Sequence, residues 1–252
     1  MTPVVPAGAQ GMERAVRRGV VVAVDGPSGS GKSSVCRQAA ARLDLAYLDT
    51  GAMYRAATWW CLRLGLDLTD QPGVAAAVRA MDLRMGMDPS APGVRVGETD
   101  VTAAIREAAI SGAVSLLSTN LDVRAELGAR QRALIAAERN GGTSAGRGVV
   151  AEGRDITTVV APDADVRVLL TASEEARLTR RALEVHGSTD AAALAATHAH
   201  VVGRDAKDAA VVEFRTAAQG VVLLDSSALT FEETVEALLA LVRAALSERV
   251  DR

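Results

Sequence analysis

The chain has 252 residues, of which 49% are hydrophobic and only 2% aromatic, and 28 basic against 31 acidic residues give a formal net charge of -3. A core so poor in aromatic side chains suits buried parallel strands of Val, Leu and Ala, and the length suits one large domain with an inserted piece. The near-neutral charge argues against a dedicated nucleic-acid binder, and two cysteines supply neither a disulfide framework nor a zinc site. No apolar run reaches the roughly 20 residues that cross a bilayer, so we expect a cytoplasmic protein without membrane or nucleic-acid partners.

The first elements place a glycine-rich loop between a strand and a helix. Residues 1–18, rich in Pro, Gly and Ala, predict a flexible tail, and the folded domain is expected over residues 19–252. The apolar run VVVAVD at residues 20–25 predicts a buried strand, and the spacing of apolar residues predicts a helix from Lys32 to Leu43. Between them stands GPSGSGKSS, with the spacing Gly-x-x-x-x-Gly-Lys-Ser. Backbone N–H groups cradle phosphates in such a setting, so we predict a nucleoside triphosphate site here.

The residues of this segment, called the phosphate loop below, have distinct expected roles. Lys32 adds a mobile positive charge for the β and γ phosphates, and the Ser33 hydroxyl can complete the coordination of Mg²⁺. Ser34 is a candidate for the α phosphate, although it equally suits the first turn of a helix. The predicted ATP-binding residues are Gly26, Pro27, Ser28, Gly29, Ser30, Gly31, Lys32, Ser33 and Ser34, with Ser33 as the metal ligand.

The apolar segments that follow predict a parallel α/β architecture. A second strand, LAYLDT, covers residues 45–50 and precedes a helix from Ala52 to about Leu64. Further strands are expected at residues 149–153, 166–172 and 221–226. Five strands that alternate with helices indicate a parallel sheet covered on both faces. Thr230 and Glu233 have the spacing of a capping box at the start of the last helix.

Two stretches depart from this alternation. Residues 81–102, with short alternating segments around prolines and glycines, predict a small antiparallel hairpin. We place it in an insert of about residues 76–104, a second-substrate subdomain between core segments 19–75 and 105–252. Residues 174–215 hold several arginines among small residues and predict a mobile helical hairpin.

The arginines bear on what accepts the phosphoryl group. The chain has no guanine-reading Asn-Lys-x-Asp segment, and it lacks the partner motifs and length of a helicase or transporter, so water is disfavoured as the acceptor. Arginines instead lie in the segments that lead out of predicted strands, as expected if two phosphorylated ligands are clamped face to face. These arginines are Arg55, Arg124, Arg154, Arg177, Arg180, Arg181 and Arg204. Each one alone is equally compatible with a surface salt bridge.

Taken together, these segments resemble the bacterial cytidylate kinases, which phosphorylate CMP and dCMP. The matching stretches are VAVDGPSGSGKSSV (22–35), YLDTGAMYRA (47–56), DVTAAIRE (100–107), VRAELGARQR (123–132), VAEGRDITTVVAPDADVRVLLTA (150–172) and RDAKD (204–208). The resemblance implies the P-loop nucleoside monophosphate kinase fold, with the insert as CMP-binding subdomain and the arginine-rich hairpin as a lid. It also implies ATP and Mg²⁺ as cofactors, and we expect a monomer.

The resemblance assigns roles at the acceptor site. Arg55 and Arg154 would hold the phosphate of CMP, and Thr50 would lie near the nucleotide. Arg204 and Asp208 would contact the pentose. The implied CMP-binding residues are Thr50, Arg55, Ser115, Arg124, Arg154, Asp155, Arg204 and Asp208.

A further set is implied to act on the transferred phosphoryl group. Arg180 and Arg181 would approach it as the lid closes, although one of the two is expected to be only structural. The predicted catalytic residues are Lys32, Arg154, Arg180 and Arg181. No general base is needed, because the acceptor phosphate is already anionic and catalysis can come from positioning and charge neutralisation.

The chemistry of cytosine agrees with the implied base readers, which are Ser115, Arg124 and Asp155. Cytosine presents an N4 amino donor beside an N3 acceptor, so the Asp155 carboxylate can accept from N4 while the Arg124 guanidinium donates to ring acceptors. Uracil reverses that pattern. Asp155 is also compatible with a helix-start carboxylate or an ion pair with Arg154, and Ser115 with a helix hydroxyl bonded to its own backbone.

One position departs from the family pattern. Many relatives carry an arginine three residues after the equivalent of Asp208, where this chain has Val211. We predict that Arg215 replaces it from the next helical turn. The alternatives are that Arg215 pairs with Glu213 and that Arg204 or a lid arginine serves instead.

The sequence thus predicts an enzyme that transfers the γ-phosphoryl group of ATP to CMP or dCMP. Two alternatives remain open at this point. One is another small-molecule kinase of this architecture, acting on UMP, AMP or a metabolite such as shikimate. The other is an ATP-binding regulatory module with little turnover.

Overall fold

The structure is a computed structural model that describes residues 19–190, 192, 194–198 and 216–250. In these residues the strands are β1 (Val20–Asp25), β2 (Ala46–Asp49), β3 (Leu83–Met85), β4 (Val94–Val96), β5 (Thr99–Asp100), β6 (Gly148–Gly153), β7 (Val166–Thr171) and β8 (Val222–Asp225). The α-helices are α1 (Lys32–Arg42), α2 (Thr50–Arg63), α3 (Gln71–Ala80), α4 (Ala108–Ser118), α5 (Leu121–Arg139), α6 (Glu174–His186) and α7 (Phe231–Val250). A 3₁₀ helix covers Ala104–Arg106, and a turn of π-helix, called the π-turn below, covers Ile156–Val160. The predicted tail, residues 1–18, lies outside the described residues.

Five strands form one parallel sheet in the order β2-β6-β1-β7-β8. Each of them matches one of the five apolar runs in the sequence, and β1 has the predicted bounds. Parallel strands need crossover connections, and helices lie in all of these except the one from β6 to β7, which passes β1 and contains the π-turn. The predicted fold class, an α/β domain with a five-stranded parallel sheet, is confirmed.

Strand β1 lies at the centre of the sheet, and all six of its residues are buried. Val22 and Val24 pack on one face in a cluster with residues of α1 and α7. Val21 and Ala23 pack on the other face in a cluster with residues of α5 and the π-turn. A strand covered on both faces needs apolar side chains in both registers, which is why its sequence does not alternate. The strand therefore delivers its last residue, and the phosphate loop after it, to a fixed place.

Helix α7 begins with the predicted capping box. The Glu233 carboxylate accepts hydrogen bonds from the Thr230 N–H at 2.8 Å and the Thr230 hydroxyl at 2.8 Å. In return, the Glu233 N–H donates to the Thr230 hydroxyl at 3.2 Å. The capping box thus satisfies N–H groups at the helix start, and the apolar face of α7 closes one side of the sheet.

The insert differs from its prediction by one strand. Residues 81–102 form a three-stranded antiparallel sheet in the order β3-β4-β5, where the sequence predicted a simple hairpin. Gly97, with a φ of 55°, makes the tight turn that adds β5 to β4. Val94 and Val96 of β4 bury their side chains in a cluster with residues of α2 and α3. The small sheet is thus anchored on the core domain through one strand.

The predicted helical hairpin is described only in part. Helix α6 covers the start of the predicted segment, and its Gly187 C-cap has a φ of 66°. The predictions for Arg204, Asp208, Val211 and Arg215 fall outside the described residues. No helix in the described part of the chain is long and apolar enough to cross a membrane.

Candidate active site

A cavity of about 560 Å³ opens at the carboxyl ends of β1, β2 and β6. The phosphate loop forms its floor, the start of α2 and the end of β6 line one side, and the insert, α4, α5 and α6 complete the wall. Ligands of open α/β sheets bind at this edge, because loops and helix N-termini meet there. The fold therefore brings the predicted triphosphate site and most of the predicted acceptor site to one cavity.

The phosphate loop has the backbone that an anion site requires. Gly31 precedes α1 in the left-handed conformation, with φ 80°, and no side chain caps the helix N-terminus. The first N–H groups of a helix have no intrahelical partner, so they and the helix dipole favour an anion at this end. Gly26 passes so close to the Leu170 carbonyl oxygen that a Cβ atom would clash with it. The glycine spacing is therefore a steric requirement of this strand-to-helix connection.

Lys32 and Ser33 meet a carboxylate that the sequence reasoning missed. Glu152, near the end of β6, has a side chain only 3% exposed, and its Oε2 lies 2.9 Å from the Lys32 Nζ. Its Oε1 accepts hydrogen bonds from the Ser33 hydroxyl at 2.6 Å and the Tyr47 hydroxyl at 3.1 Å. The available signal was the acidic residue in the buried strand VVAEG. Carboxylate and hydroxyl oxygens are the ligands that Mg²⁺ prefers, so this pair suits a cation beside the phosphates.

Two buried donors on this wall have no hydrogen-bond partner in the described part of the protein. They are the Ser30 hydroxyl, in a residue 1% exposed, and the Arg55 Nε. Buried polar groups are nearly always paired, and leaving one unpaired costs roughly 1–3 kcal/mol. Both atoms belong to residues that line the cavity, although the atoms themselves are shielded from solvent.

Arg55 is oriented by a second carboxylate that the sequence reasoning missed. Asp49 caps α2 by accepting from the Ala52 N–H at 2.8 Å, and its other oxygen lies 2.9 Å from a terminal nitrogen of Arg55. Burial opposes ionisation of Asp49, but the Arg55 charge and the Ala52 N–H outweigh it, so the pKa of Asp49 is lowered. The neighbouring Thr50 donates its hydroxyl hydrogen bond to the Glu152 carbonyl at 2.7 Å. Arg55 and Thr50 both line the cavity, where the sequence predicts them.

Asp155 and Arg124 form an ion pair at the far side of the cavity. The acidic side chain of Asp155 pairs with Arg124 and makes no capping hydrogen bond to the π-turn, and its role in reading cytosine stays a prediction. Burial raises the pKa of Asp155, although the Arg124 charge opposes that effect. The Arg124 guanidinium also lies 6.0 Å from the ring centre of Tyr54, within the range of a cation–π contact. A donor group and an acceptor group thus stand side by side, as recognition of a base edge requires.

Arg154 connects the acceptor side to the phosphate loop. Its guanidinium donates a hydrogen bond to the Gly26 carbonyl, and its side chain lines the cavity between the loop and Asp155. The predicted phosphate contact of Arg154 is compatible with this place.

Ser115 is buried in α4 and does not line the cavity wall. The α4 residues that do so are Ser111, Val114 and Ser118. The backbone carbonyl of Ser115 accepts a hydrogen bond from the Ser118 hydroxyl at 3.2 Å. On the helix Ser115 lies beside the stripe that faces the cavity, so its role in reading cytosine stays a prediction.

The two neighbouring lid arginines occupy different environments. Arg180 donates to the backbone carbonyls of Ser226 at 2.7 Å and Leu229 at 3.2 Å, to the Ser226 hydroxyl at 3.0 Å, and to the Ser30 carbonyl at 3.4 Å. Arg181 lines the cavity. The sequence predicts that one of the two arginines is structural. This geometry favours a structural role for Arg180 and a ligand contact for Arg181. Arg177 also contacts the phosphate loop, by donating to the Ser28 carbonyl at 2.9 Å.

We expect Arg181→Met and Arg180→Met to separate activity from stability. Arg181→Met should lower kcat by about tenfold or more and lower the Tm less than Arg180→Met does, because it removes a charge that lines the cavity. Arg180→Met should lower the Tm by several degrees, because carbonyl groups around the phosphate loop lose their donor. Steady-state kinetics and thermal unfolding of both variants test this, and the reverse pattern would exchange the two roles.

Two further arginines in the cavity wall carried no prediction. Arg37 of α1 and Arg106 of the 3₁₀ helix line the cavity, and the charge of Arg106 contributes to the lowered pKa of Asp49. Arg106 lies in the stretch DVTAAIRE that resembles the cytidylate kinases, and that resemblance was the available signal. Both stand where a second anionic ligand would need positive charge.

Comparison with known proteins adds independent information. The family model described as "Cytidylate kinase" matches residues 22–244. A protein named cytidylate kinase from Streptomyces avermitilis is 44% identical over 224 residues, which are 88% of this chain and 92% of that protein. One of the same name from Nocardia farcinica is 45% identical over 230 residues, 90% of this chain and 95% of that protein. A third, from Rhodococcus jostii, is 46% identical over 226 residues, 88% of this chain and 94% of that protein.

Proposed function

The chain belongs to the cytidylate kinase family, and we propose that it transfers the γ-phosphoryl group of ATP to CMP or dCMP, giving ADP and CDP or dCDP. The observation that carries the proposal is one continuous cavity, with the phosphate loop at one side and the Arg124–Asp155 pair at the other. A triphosphate site alone would suit many enzymes. A paired donor and acceptor across from it suit an acceptor that carries a base.

The donor nucleotide would occupy the phosphate loop. The N-terminus of α1 and Lys32 would bind the β and γ phosphates, and the Lys32 ammonium would exchange its 2.9 Å contact with Glu152 for phosphate oxygens. Ser33 and Glu152 would hold Mg²⁺, which supplies charge neutralisation at the phosphates when it is bound. The 2.6 Å contact between the Ser33 hydroxyl and the Glu152 carboxylate supports this assignment, since it gathers two oxygen ligands beside the loop.

The acceptor nucleotide would lie across the cavity, with its phosphate between Arg55 and Arg154. An oxygen of this phosphate attacks the γ phosphorus, the bond from that phosphorus to the bridging oxygen breaks, and ADP leaves with the electron pair. The protein contributes in-line placement and positive charge, and Arg181 is positioned to add to that charge. The place of Arg55 in the cavity wall, where Asp49 orients its guanidinium, supports a phosphate here.

The insert would serve as the CMP-binding subdomain over about residues 76–104. Residues of β3, β4 and the loop between them line the cavity, including Met85, Gly86, Gly93 and Val94. The lid would cover residues 174–215 and exclude water during transfer, because hydrolysis of ATP would otherwise compete. The contact of Arg177 with the phosphate loop supports a place for α6 above the ATP site.

A coupled assay of ADP release tests the function against its alternatives. With ATP and Mg²⁺, we expect CMP and dCMP to support turnover at least tenfold faster than UMP or AMP, and turnover without an acceptor to be negligible. Equal or faster turnover with UMP or AMP would indicate a different monophosphate kinase. No dependence on any acceptor would indicate a binding module.

A further inference from the structure

Asp25 is a buried carboxylate for which the proposed reaction has no direct use. It is the last residue of β1 and is 2% exposed. Its Oδ1 accepts from the Ile156 N–H at 2.8 Å, and its Oδ2 accepts from the Thr157 N–H at 2.8 Å and the Thr157 hydroxyl at 2.6 Å. Burial raises the pKa of Asp25 even though these three hydrogen bonds oppose the rise. All three donors come from one short segment, the start of the π-turn.

The π-turn is the segment on which the acceptor site depends. Asp155, the residue before it, pairs with Arg124, and Val159 and Val160 donate their N–H groups back to the Asp155 carbonyl at 2.9 and 3.1 Å. The backbone of Asp155 is therefore part of the hydrogen-bonded turn that Asp25 holds.

A second contact runs in the opposite direction. Arg154, on the acceptor side, donates to the carbonyl of Gly26, the residue that follows Asp25. Asp25, on the donor side, accepts from the turn that follows Arg154 and Asp155. The phosphate loop and the acceptor site are thus joined by two reciprocal contacts, each between a charged side chain and the backbone of the other segment.

A half-buried acid, Asp165, contacts the same strand away from the cavity. Asp165 lies at the opposite end of β1, where its carboxylate accepts from the Val21 N–H at 2.7 Å and lies 3.7 Å from Arg139. It stabilises the strand far from the cavity. Asp25 differs because its partners, Ile156 and Thr157, directly follow Asp155 in the acceptor site.

We propose that Asp25 is a positioning residue for base recognition. By holding the Ile156 and Thr157 backbone, it fixes the place of Asp155 and so the side-by-side arrangement with Arg124 that distinguishes cytosine from uracil. The inference rests on the proposed function, because it assigns a residue to selectivity within that same reaction.

The test is the ratio of kcat/KM for CMP to kcat/KM for UMP in Asp25→Asn. Whichever way the amide turns, its NH₂ group faces at least one N–H donor of the π-turn, so the turn loses a hydrogen bond and shifts. We expect the ratio to fall at least tenfold, mainly through a higher KM for CMP. Asp165→Asn is the matched control, since it removes the same kind of contact from the other end of β1, and its ratio should stay within twofold of the wild type.

A second pair of variants decides the matter if Asp25→Asn does not fold. Thr157→Val keeps the side-chain volume but removes the hydroxyl that Asp25 accepts from, and we expect the ratio to fall about threefold. Thr157→Ser keeps that hydroxyl, so its ratio should match the wild type.

Each outcome of these measurements bears on the inference. A parallel fall with CMP and UMP in Asp25→Asn or Thr157→Val, or an equal change of ratio in Asp165→Asn, would overturn the role of Asp25 and leave the proposed function standing. Wild-type protein without CMP-dependent turnover would overturn both.

Discussion

Replacing Lys32 with alanine should lower kcat by at least about a hundredfold while the fold persists. The Lys32 side chain lines the cavity at the N-terminus of α1 and makes no contribution to the apolar clusters of the core. Its loss would remove a charge-assisted contact to the transferring phosphates, worth about 3 kcal/mol, and each 1.36 kcal/mol corresponds to a tenfold change in rate. Steady-state kinetics with saturating ATP, CMP and Mg²⁺ measure the effect.

The contact between Lys32 and Glu152 adds a second, separable consequence. Without the ammonium group, the Glu152 carboxylate stays buried with only its hydroxyl partners, Ser33 and Tyr47. An uncompensated buried charge destabilises the folded state, so the Tm should fall as well. The double variant Lys32→Ala/Glu152→Gln removes that charge, and we expect it to recover Tm but not kcat.

The control for Lys32 lies at the other end of the same helix. Arg42 ends α1 and pairs on the surface with Glu232 at 2.7 Å and Glu236 at 2.8 Å. Arg42→Ala removes one positive charge from α1 far from the cavity, so kcat should stay within twofold. Near-normal turnover of Lys32→Ala would contradict the role assigned to the phosphate loop.

The sequence predicted the elements that local patterns determine. The apolar runs located all five strands of the parallel sheet, and the glycine spacing located the phosphate loop, because burial on both faces and positive φ values leave a direct trace in composition. Helix α2 begins at Thr50 rather than the predicted Ala52, since Asp49 provides the cap and allows the helix to start earlier. The π-turn was not predictable, because the β-branched residues of ITTVV favour extended backbone and the contact that holds the turn comes from Asp25, 131 positions away.

The site residues that belong to a sequence motif were predictable. The contacts between residues far apart in the sequence were not. The contact between Ser33 and Glu152 joins residues 119 positions apart, and that between Arg124 and Asp155 joins residues 31 apart. An acid near the end of a buried strand marks Glu152 and Asp49 as unusual, but it does not identify Lys32, Ser33 or Arg55 as their partners. The structural role favoured for Arg180 likewise depends on distant residues, because Arg180 donates to the carbonyls of Ser226 and Leu229, which follow β8.

Replacing Asp155 with alanine should change which base the enzyme accepts. Cytosine offers an N4 amino hydrogen that a carboxylate can accept, whereas uracil places a carbonyl oxygen there, which the carboxylate repels. A hydrogen bond to a charged group is worth about 1.5–3 kcal/mol, so kcat/KM for CMP should fall roughly ten- to hundredfold. For UMP no favourable contact is lost, and kcat/KM should change little or rise.

The Arg124 guanidinium strengthens this expectation, because it remains when Asp155 is removed. The terminal nitrogen that contacts Asp155 then loses its carboxylate partner, while the other terminal nitrogen still donates to the Ser118 carbonyl at 3.3 Å. A buried donor without a partner favours a ligand that presents an acceptor, and the O4 atom of uracil is one. Arg124→Met, by contrast, should weaken CMP binding without a change in ATP affinity.

The decisive measurement for Asp155→Ala is kcat/KM for CMP and UMP in one preparation, beside a control in the same connection between β6 and β7. Asp163 has a side chain 72% exposed, lies 3.5 Å from Arg139 and does not line the cavity. Asp163→Ala should therefore leave the CMP to UMP ratio within twofold of the wild type. If Asp155→Ala lowers kcat/KM equally for both nucleotides, the ion pair with Arg124 holds the turn in place and does not read the base. A ratio that falls at least tenfold, with Asp163→Ala unchanged, assigns the selection of cytosine to this carboxylate, since of the two acids only Asp155 lines the cavity.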